Sequence, residues 1–308
     1  MYFQTAGIEV ALWVPPLVAC VISFFTSMAG VSGAFMLLPF QMSVLGYSNP
    51  SVSATNQLFN IVAIPSGVFR YCREGRMVWP LTWLVVIGTL PGVFAGAFVR
   101  IAWLPDPRHF KLFVAAVLLY IGLRLAWDIL RPRPAEPLKK TTARPSPKPE
   151  GYSTASPAIE ISHLSLNRLS YRFQGEEFQV PIWPVIFLSL VVGMVGGIYG
   201  IGGGAIIVPF LVTIFGLPIH TVAGAALMGT FVTSVAGVIF YQILAPFYPQ
   251  VSVAPDWLLG LLFGLGGMVG MYLGARCQKH MPARLIKGLL CAILLFIAGN
   301  YLLEFFTT

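Results

Sequence analysis

Residues 200–210 read GIGGGAIIVPF and residues 30–40 read GVSGAFMLLPF. Each stretch interrupts an apolar run with glycines and then carries a proline, Pro209 or Pro39. Glycine lacks Cβ, so a chain can turn sharply there and restart as a helix. Each half therefore opens with a glycine-broken helix, over Ala29–Ala34 and Tyr199–Gly204, followed by a short helical segment.

Sliding the chain on itself by 170 residues sets 30–71 against 200–241 without a gap. Gly30 meets Gly200, Gly33 meets Gly203, Pro39 meets Pro209, Gly46 meets Gly216, Gly67 meets Gly237 and Tyr71 meets Tyr241. About ten of these forty-two positions are identical, more than apolar bias produces, so the halves share one architecture. With slightly larger offsets Gly92 meets Gly266, Gly96 meets Gly270 and Lys111 meets Lys287.

The solvent of these halves is lipid. The chain is 57% hydrophobic and 10% charged, with mean hydropathy +0.81, against about 25% charged in soluble domains. Apolar runs long enough to cross a hydrocarbon core recur. The expected segments are 10–29, 33–46, 52–71, 79–102 and 109–130, then 182–199, 204–216, 221–244, 256–276 and 284–305. The fold class is an all-α polytopic membrane protein of two repeats with about five helical segments each.

Three regions follow: a first transmembrane repeat (1–130), an insert (131–181) and a second transmembrane repeat (182–308). Residues 131–150 are rich in proline, lysine and arginine and cannot enter lipid. Within 159–181 apolar residues alternate around Gln174-Gly175-Glu176-Glu177, which predicts a small β-hairpin.

Charge orients the halves. Arg70, Arg73, Arg76 and the basic insert lie on one side, by charge the cytoplasm. The equivalent loop of the second half, 245–256, has no Lys or Arg, whereas 276–287 has four. That switch is what an inverted repeat requires, and it leaves both termini outside. Arg100, Arg108 and Lys111 run against the scheme. The net charge of +8 is carried by these loops, so nucleic acid is not an expected partner.

Irregular backbone at membrane depth survives only inside protein or beside water, so two corresponding breaks point to one central site. Helices restarting there leave N–H groups and positive dipole ends facing it, which favours an anion. The candidate ligands are Gly30, Ser32 and Gly33 in the first break and Gly200, Gly202, Gly203 and Gly204 in the second. Asn56, Gln57 and Asn60 add neutral donors from the third segment, with Thr230 and Thr233 in the related stretch. Interhelical hydrogen bonding accounts for these side chains equally well. Gly88, Gly92, Gly96, Gly266, Gly270 and Gly274 are read as close-packing positions. The four cysteines and four histidines show no metal-ligand spacing, and no cofactor or metal is expected. Arg124 and Asp128, four apart, are expected to pair.

The motifs GVSGAFMLLPF and GIGGGAIIVPF, each followed by a polar-dotted helix, resemble the glycine signatures of the TauE/SafE family of sulfite exporters. The first copy departs from the second, with Ser32 and Ala34 in place of Gly202 and Gly204. The resemblance covers about 10–130 and 182–305 and implies an inner-membrane transporter of sulfite, sulfonates or related anions. Its partners would be a small anionic substrate, the bilayer and a coupling ion, H⁺ or Na⁺.

Secondary transport of a small sulfur-containing oxyanion is therefore the expected function and export the expected direction; the alternatives are a passive anion channel or facilitator and a transporter of another small anion. A membrane-embedded enzyme would need a nucleophile and base or a metal cluster in the bilayer, and the sequence offers none. No GxxxxGK[ST] signature is present, so ATP-driven transport by this chain alone is not expected.

Overall fold

The computed structural model describes residues 1–28, 32–73, 77–130, 160–165, 167–173, 176–277 and 283–307. A two-stranded hairpin, β1 (Tyr2–Phe3) and β2 (Ile8–Glu9), precedes helices α1 (Val14–Met28), α2 (Ala34–Ser43), α3 (Ser51–Ala63), α4 (Pro65–Arg73), α5 (Trp79–Ala102) and α6 (Pro107–Leu130). A three-stranded sheet follows, β3 (Glu160–Leu164), β4 (Arg168–Phe173) and β5 (Glu176–Pro181). The second half is α7 (Ile182–Tyr199), α8 (Gly204–Thr213), α9 (Ile219–Leu244), a 3₁₀ turn at Ala245–Phe247, α10 (Trp257–Cys277) and α11 (Ala283–Thr307).

Six of these helices are long and apolar enough to cross a bilayer, so the chain is a multi-pass membrane protein. The aromatic residues agree. All seven tryptophans are exposed, and Trp13, Trp79, Trp103, Trp183 and Trp257 sit at helix ends, where indole rings settle at the headgroup level.

The two halves exchange helices. Helix α5 lies along α7, and α10 lies along α1. Glycines set both distances: a Cβ on Gly92 or Gly96 would strike the α7 backbone, and one on Gly266 or Gly270 would strike that of α1. Gly88 faces Ser189 and Ile186, and Gly274 faces Ser27 and Phe24. These six are packing positions, as their spacing suggested. Helices α6 and α11 pair antiparallel, with Gly122 against Leu295 and Arg108 donating to the Phe305 carbonyl. Helices α3 and α9 touch each other at the centre.

Repeat-related backbone details recur. After α2 the chain turns at Gly46 (φ 69°), with Tyr47 N–H donating to Gln41 O. After α8 it turns at Gly216 (φ 65°), with Leu217 N–H donating to Leu211 O.

The N-terminal hairpin and the sheet lie at opposite ends of α9. At one end Ser51 N–H bonds Ser252 O, and the Ser252 hydroxyl bonds Thr5 O. Asp256 caps α10 by accepting from Leu259 N–H and holds the hairpin by accepting from Ala6 N–H. At the other end Tyr171 of β4 bonds the Thr221 hydroxyl at 2.9 Å. Burial keeps that phenol above its ordinary pKa, so it stays a neutral partner. Helix α1 thus enters from the hairpin end and α7 from the sheet end.

Three expectations need correction. The segment 52–71 is not one helix: the chain breaks at Ile64, because Pro65 has no N–H to continue α3 and its ring would clash one turn back. The insert holds more than the expected hairpin: β4 and β5 pair antiparallel, and β3 adds a third strand on the side of β4 away from β5. And α1 begins at Val14, because residues 2–9 form the β1–β2 hairpin around Gly7 (φ 69°).

Each cation that ran against the charge scheme finds a partner in the protein, though only Arg100 is buried. Arg100 is fully buried, donates to Leu104 O and Ser48 O, and lies 3.6 Å from the centre of the Phe110 ring. Lys111 pairs with Glu304. The side chain of Asp128 lies outside the described residues, so its expected pairing with Arg124 does too.

Candidate functional site

Helix α7 ends where Gly200 takes a left-handed conformation (φ 84°) that leaves its N–H on Gly196 O. Gly202 repeats the turn (φ 74°), and α8 restarts behind Gly203. Any side chain at either glycine would be strained. The neighbours also leave no room. Gly200 lies against the Ser53 backbone, and a Cβ on Gly202 would fall 2.9 Å from Ser234 Oγ and Thr230 Cγ2. A Cβ on Gly203 would fall 2.5 Å from Thr89 Cβ, and one on Gly204 would strike Ala226 O and Thr230.

The first break is described from Ser32 onward; Gly30 lies outside the described residues. The Ser32 hydroxyl accepts from Ala34 N–H at 3.3 Å, covering a free donor at the start of α2. The Asn56 amide donates to Ala34 O at 2.9 Å. Gly33 packs against Ser23 and Phe59.

Asn60 joins the two breaks. Its Nδ2 donates to Ile201 O at 3.0 Å, and its Oδ1 accepts from the Ser32 hydroxyl at 3.4 Å. One side chain of α3 thus reaches the interruption of both halves. A second link runs from Tyr199, whose hydroxyl donates to Phe35 O at 2.6 Å. Pro39 creates that acceptor: it has no N–H to give to the carbonyl four residues back.

The second break is further tied to α9. Gly203 N–H donates to Thr233 Oγ1 at 3.1 Å, and that hydroxyl donates to Gly229 O. One of the N–H groups expected to face a ligand is therefore occupied in this arrangement. Thr230 bonds its own helix at Ala226 O. Gln57 turns away from Asn56 and Asn60 toward Gly237 of α9.

Asn56, Gln57, Asn60, Thr230 and Thr233 are buried, so the set is shut off from solvent. The hydroxyls of Ser23, Ser189 and Ser234, Gln41 Oε1 and both amide atoms of Gln57 have no hydrogen-bond partner among the described residues. Each such group costs about 1–3 kcal/mol when left unpaired. Ser23, Gln41, Thr89 and Tyr199 were not legible as site residues. They sit singly in apolar runs, and only the assembled bundle brings them to the breaks.

The chemistry on offer is hydrogen bonding by neutral groups. The only buried Arg, Lys, Asp or Glu side chains among the described residues are Arg100 and Asp256, both toward the hairpin end. No group of three or more His, Cys, Asp or Glu among the described residues could hold a metal ion.

Relatives of the chain are membrane proteins throughout. It is 22% identical over 287 residues, 90% of this chain and 92% of the other, to "Probable membrane transporter protein YunE" of Bacillus subtilis (strain 168). It is 21% identical over 286 residues, 90% of each chain, to "Probable membrane transporter protein" of Xylella fastidiosa (strain 9a5c). A shorter match of 28% identity spans 122 residues, 40% of this chain and 46% of the other, in "Probable membrane transporter protein YdhB" of Bacillus subtilis (strain 168). No solved structure matches the chain. The family model described as sulfite exporter TauE/SafE matches residues 16–301, taking in both glycine breaks and every helix that supports them. The chain belongs to the TauE/SafE sulfite exporter family.

Proposed function

We propose that the protein is a secondary transporter that exports a small sulfur-containing oxyanion, such as sulfite or an organosulfonate, across the inner membrane. The observation that carries this reading is Asn60, which touches both breaks at once. A residue so placed senses any change in their relative position. Two ten-residue helices, α2 and α8, also start at the breaks and direct their positive dipole ends inward. Neutral amides and hydroxyls complete a site suited to an anion that must also leave.

The halves form an inverted repeat in this reading, with the termini outside and 131–181 cytoplasmic. Supporting this, the repeat-related α1 and α7 enter from opposite ends, and the pairings α1 with α10 and α5 with α7 exchange under the repeat. The coupling ion is H⁺ or Na⁺.

Purified protein in proteoliposomes should give anion-evoked charge movement with sulfite or a sulfonate. Asn60→Ala should lower it by more than about tenfold, the effect of losing about 1.4 kcal/mol or more from paired hydrogen bonds. Thr230→Ala, at the equivalent position, loses only a bond within its own helix and should change it less than about threefold. Silence across sulfite, thiosulfate, sulfonates and carboxylates would overturn the reading. Sustained flux with no coupling ion would turn it into a passive facilitator.

A further inference from the structure

Gln57 stands out among the buried polar groups because its repeat counterpart is apolar. The 170-residue offset places Leu227 at the same position of the second half. The contacts correspond as well: Gln57 lies flat against Gly237 of α9, and Leu227 lies against Gly67 at the start of α4. A leucine therefore fills this seam in one half, and packing does not call for an amide in the other. Yet Gln57 is fully buried, and neither Oε1 nor Nε2 has a hydrogen-bond partner among the described residues. Exchanging the amide's O and N leaves the same conclusion, since both atoms are unpaired.

A second unpaired group lies close by along α9. Ser234, one helical turn before Gly237, is fully buried, and its hydroxyl has no partner among the described residues. It faces Gly202 in the second break, beside Thr233, which holds Gly203 N–H. The α3–α9 seam next to this break thus offers two unused donors, Gln57 Nε2 and the Ser234 hydroxyl. It also offers one unused carboxamide acceptor, Gln57 Oε1.

The acceptor is the informative atom. A fully deprotonated oxyanion has only acceptors, so it would meet Gln57 Oε1 with repulsion and leave it unpaired. Of the charged side chains, only Arg100 and Asp256 are buried among the described residues, and neither bonds a residue of the breaks. A double negative charge would therefore be desolvated here without a counter-charge. A ligand with one negative charge and one O–H satisfies all three groups.

Building on the transport reading above, we propose that the α3–α9 seam is a subsite for a singly charged oxyanion that retains one O–H, and that Gln57 accepts this proton's hydrogen bond. For sulfite this is the hydrogen sulfite form. Binding it moves no proton and makes no covalent bond; selection lies in the donor and acceptor pattern alone.

The test uses proteoliposomes of the full chain and three probes: sulfite across the pH range where it gains its last proton, sulfate, and methanesulfinate, a monoanion with methyl where hydrogen sulfite has hydroxyl. Methanesulfinate flux over the same pH range corrects for any response of the protein itself. Wild-type sulfite flux should follow the concentration of the protonated form and exceed that of methanesulfinate by about tenfold or more, with sulfate lower still. Gln57→Leu copies the residue of the other half and should fold normally, checked by size-exclusion profile and thermal midpoint. It should bring sulfite and methanesulfinate within about threefold of each other. Wild-type flux that follows the dianion would overturn the proposal, as would unchanged discrimination in Gln57→Leu. Either result leaves anion transport standing. No signal from any probe in the wild type would instead remove the transport reading, and this subsite with it.

Discussion

The two halves agree in their backbones and disagree in their polar side chains. The turns at Gly46 and Gly216, the short helices α2 and α8, and the glycine-lined pairs α1–α10 and α5–α7 occur twice. At the centre the correspondence fails: Asn60 faces a threonine equivalent, Gln57 a leucine, Ser32 a glycine and Ala63 a threonine. The break after Ile64 in the first half falls where α9 runs on through Ser234 and Val235. Close helix packing constrains both copies equally because backbone sterics are the same in each. The single ligand site proposed above has no such need, so each half can supply different groups to it.

Symmetric substitutions in the scaffold should give the largest effects. Gly92→Val and Gly266→Val each drive a branched side chain into a neighbouring backbone. Both should abolish the monodisperse peak in size-exclusion chromatography, since overpacking of this kind costs about 1–3 kcal/mol or more at each site. Gly299→Ala, with nothing near its Cβ position, should behave as wild type. If only one of the valine variants fails, the scaffold is not mechanically symmetric.

A middle-sized effect separates the two breaks. Thr233→Val strands Gly203 N–H and should cost about 1–3 kcal/mol, read as a lower thermal midpoint in detergent. Ala63→Thr, the reciprocal change, crowds a fully buried position without supplying a needed bond. It should not raise the midpoint. The smallest effect is expected of Pro65→Val, which copies Val235 and lets α3 continue into α4. Its stability should move by no more than about 1 kcal/mol, and a transport change at constant stability would show that the break itself is used.

Much of the architecture could be read directly. The glycine runs and prolines gave both interruptions, because the same residues recur at one offset within otherwise apolar segments. The stripe Gly88, Gly92 and Gly96 announced a close crossing by its four-residue spacing, though not that its partner would be a helix of the other half. The Pro65 break was hidden by an apolar pattern that continues on both sides of it. Tyr199 could not be assigned, since its acceptor is released by a proline far away in the first half. Arg100 reads as a cation against the charge scheme and is instead a buried donor to Leu104 O at the α5–α6 corner and to Ser48 O between α2 and α3.

The exchange of helices between halves also sets an order on biogenesis. Helix α1 is complete at Met28, yet the helix it lies along does not begin until Trp257. At about 5–20 residues per second of synthesis, α1 waits on the order of tens of seconds for that partner. During the interval the helix backbone is satisfied internally, but at 15 residues α1 falls short of the length that crosses a bilayer by itself. Its groove, cut to receive Gly266 and Gly270, stays open to lipid, chaperones or any other small-residue helix in reach. Fidelity of assembly therefore rests on a helix made long after α1, and a truncation before α10 would strand the first.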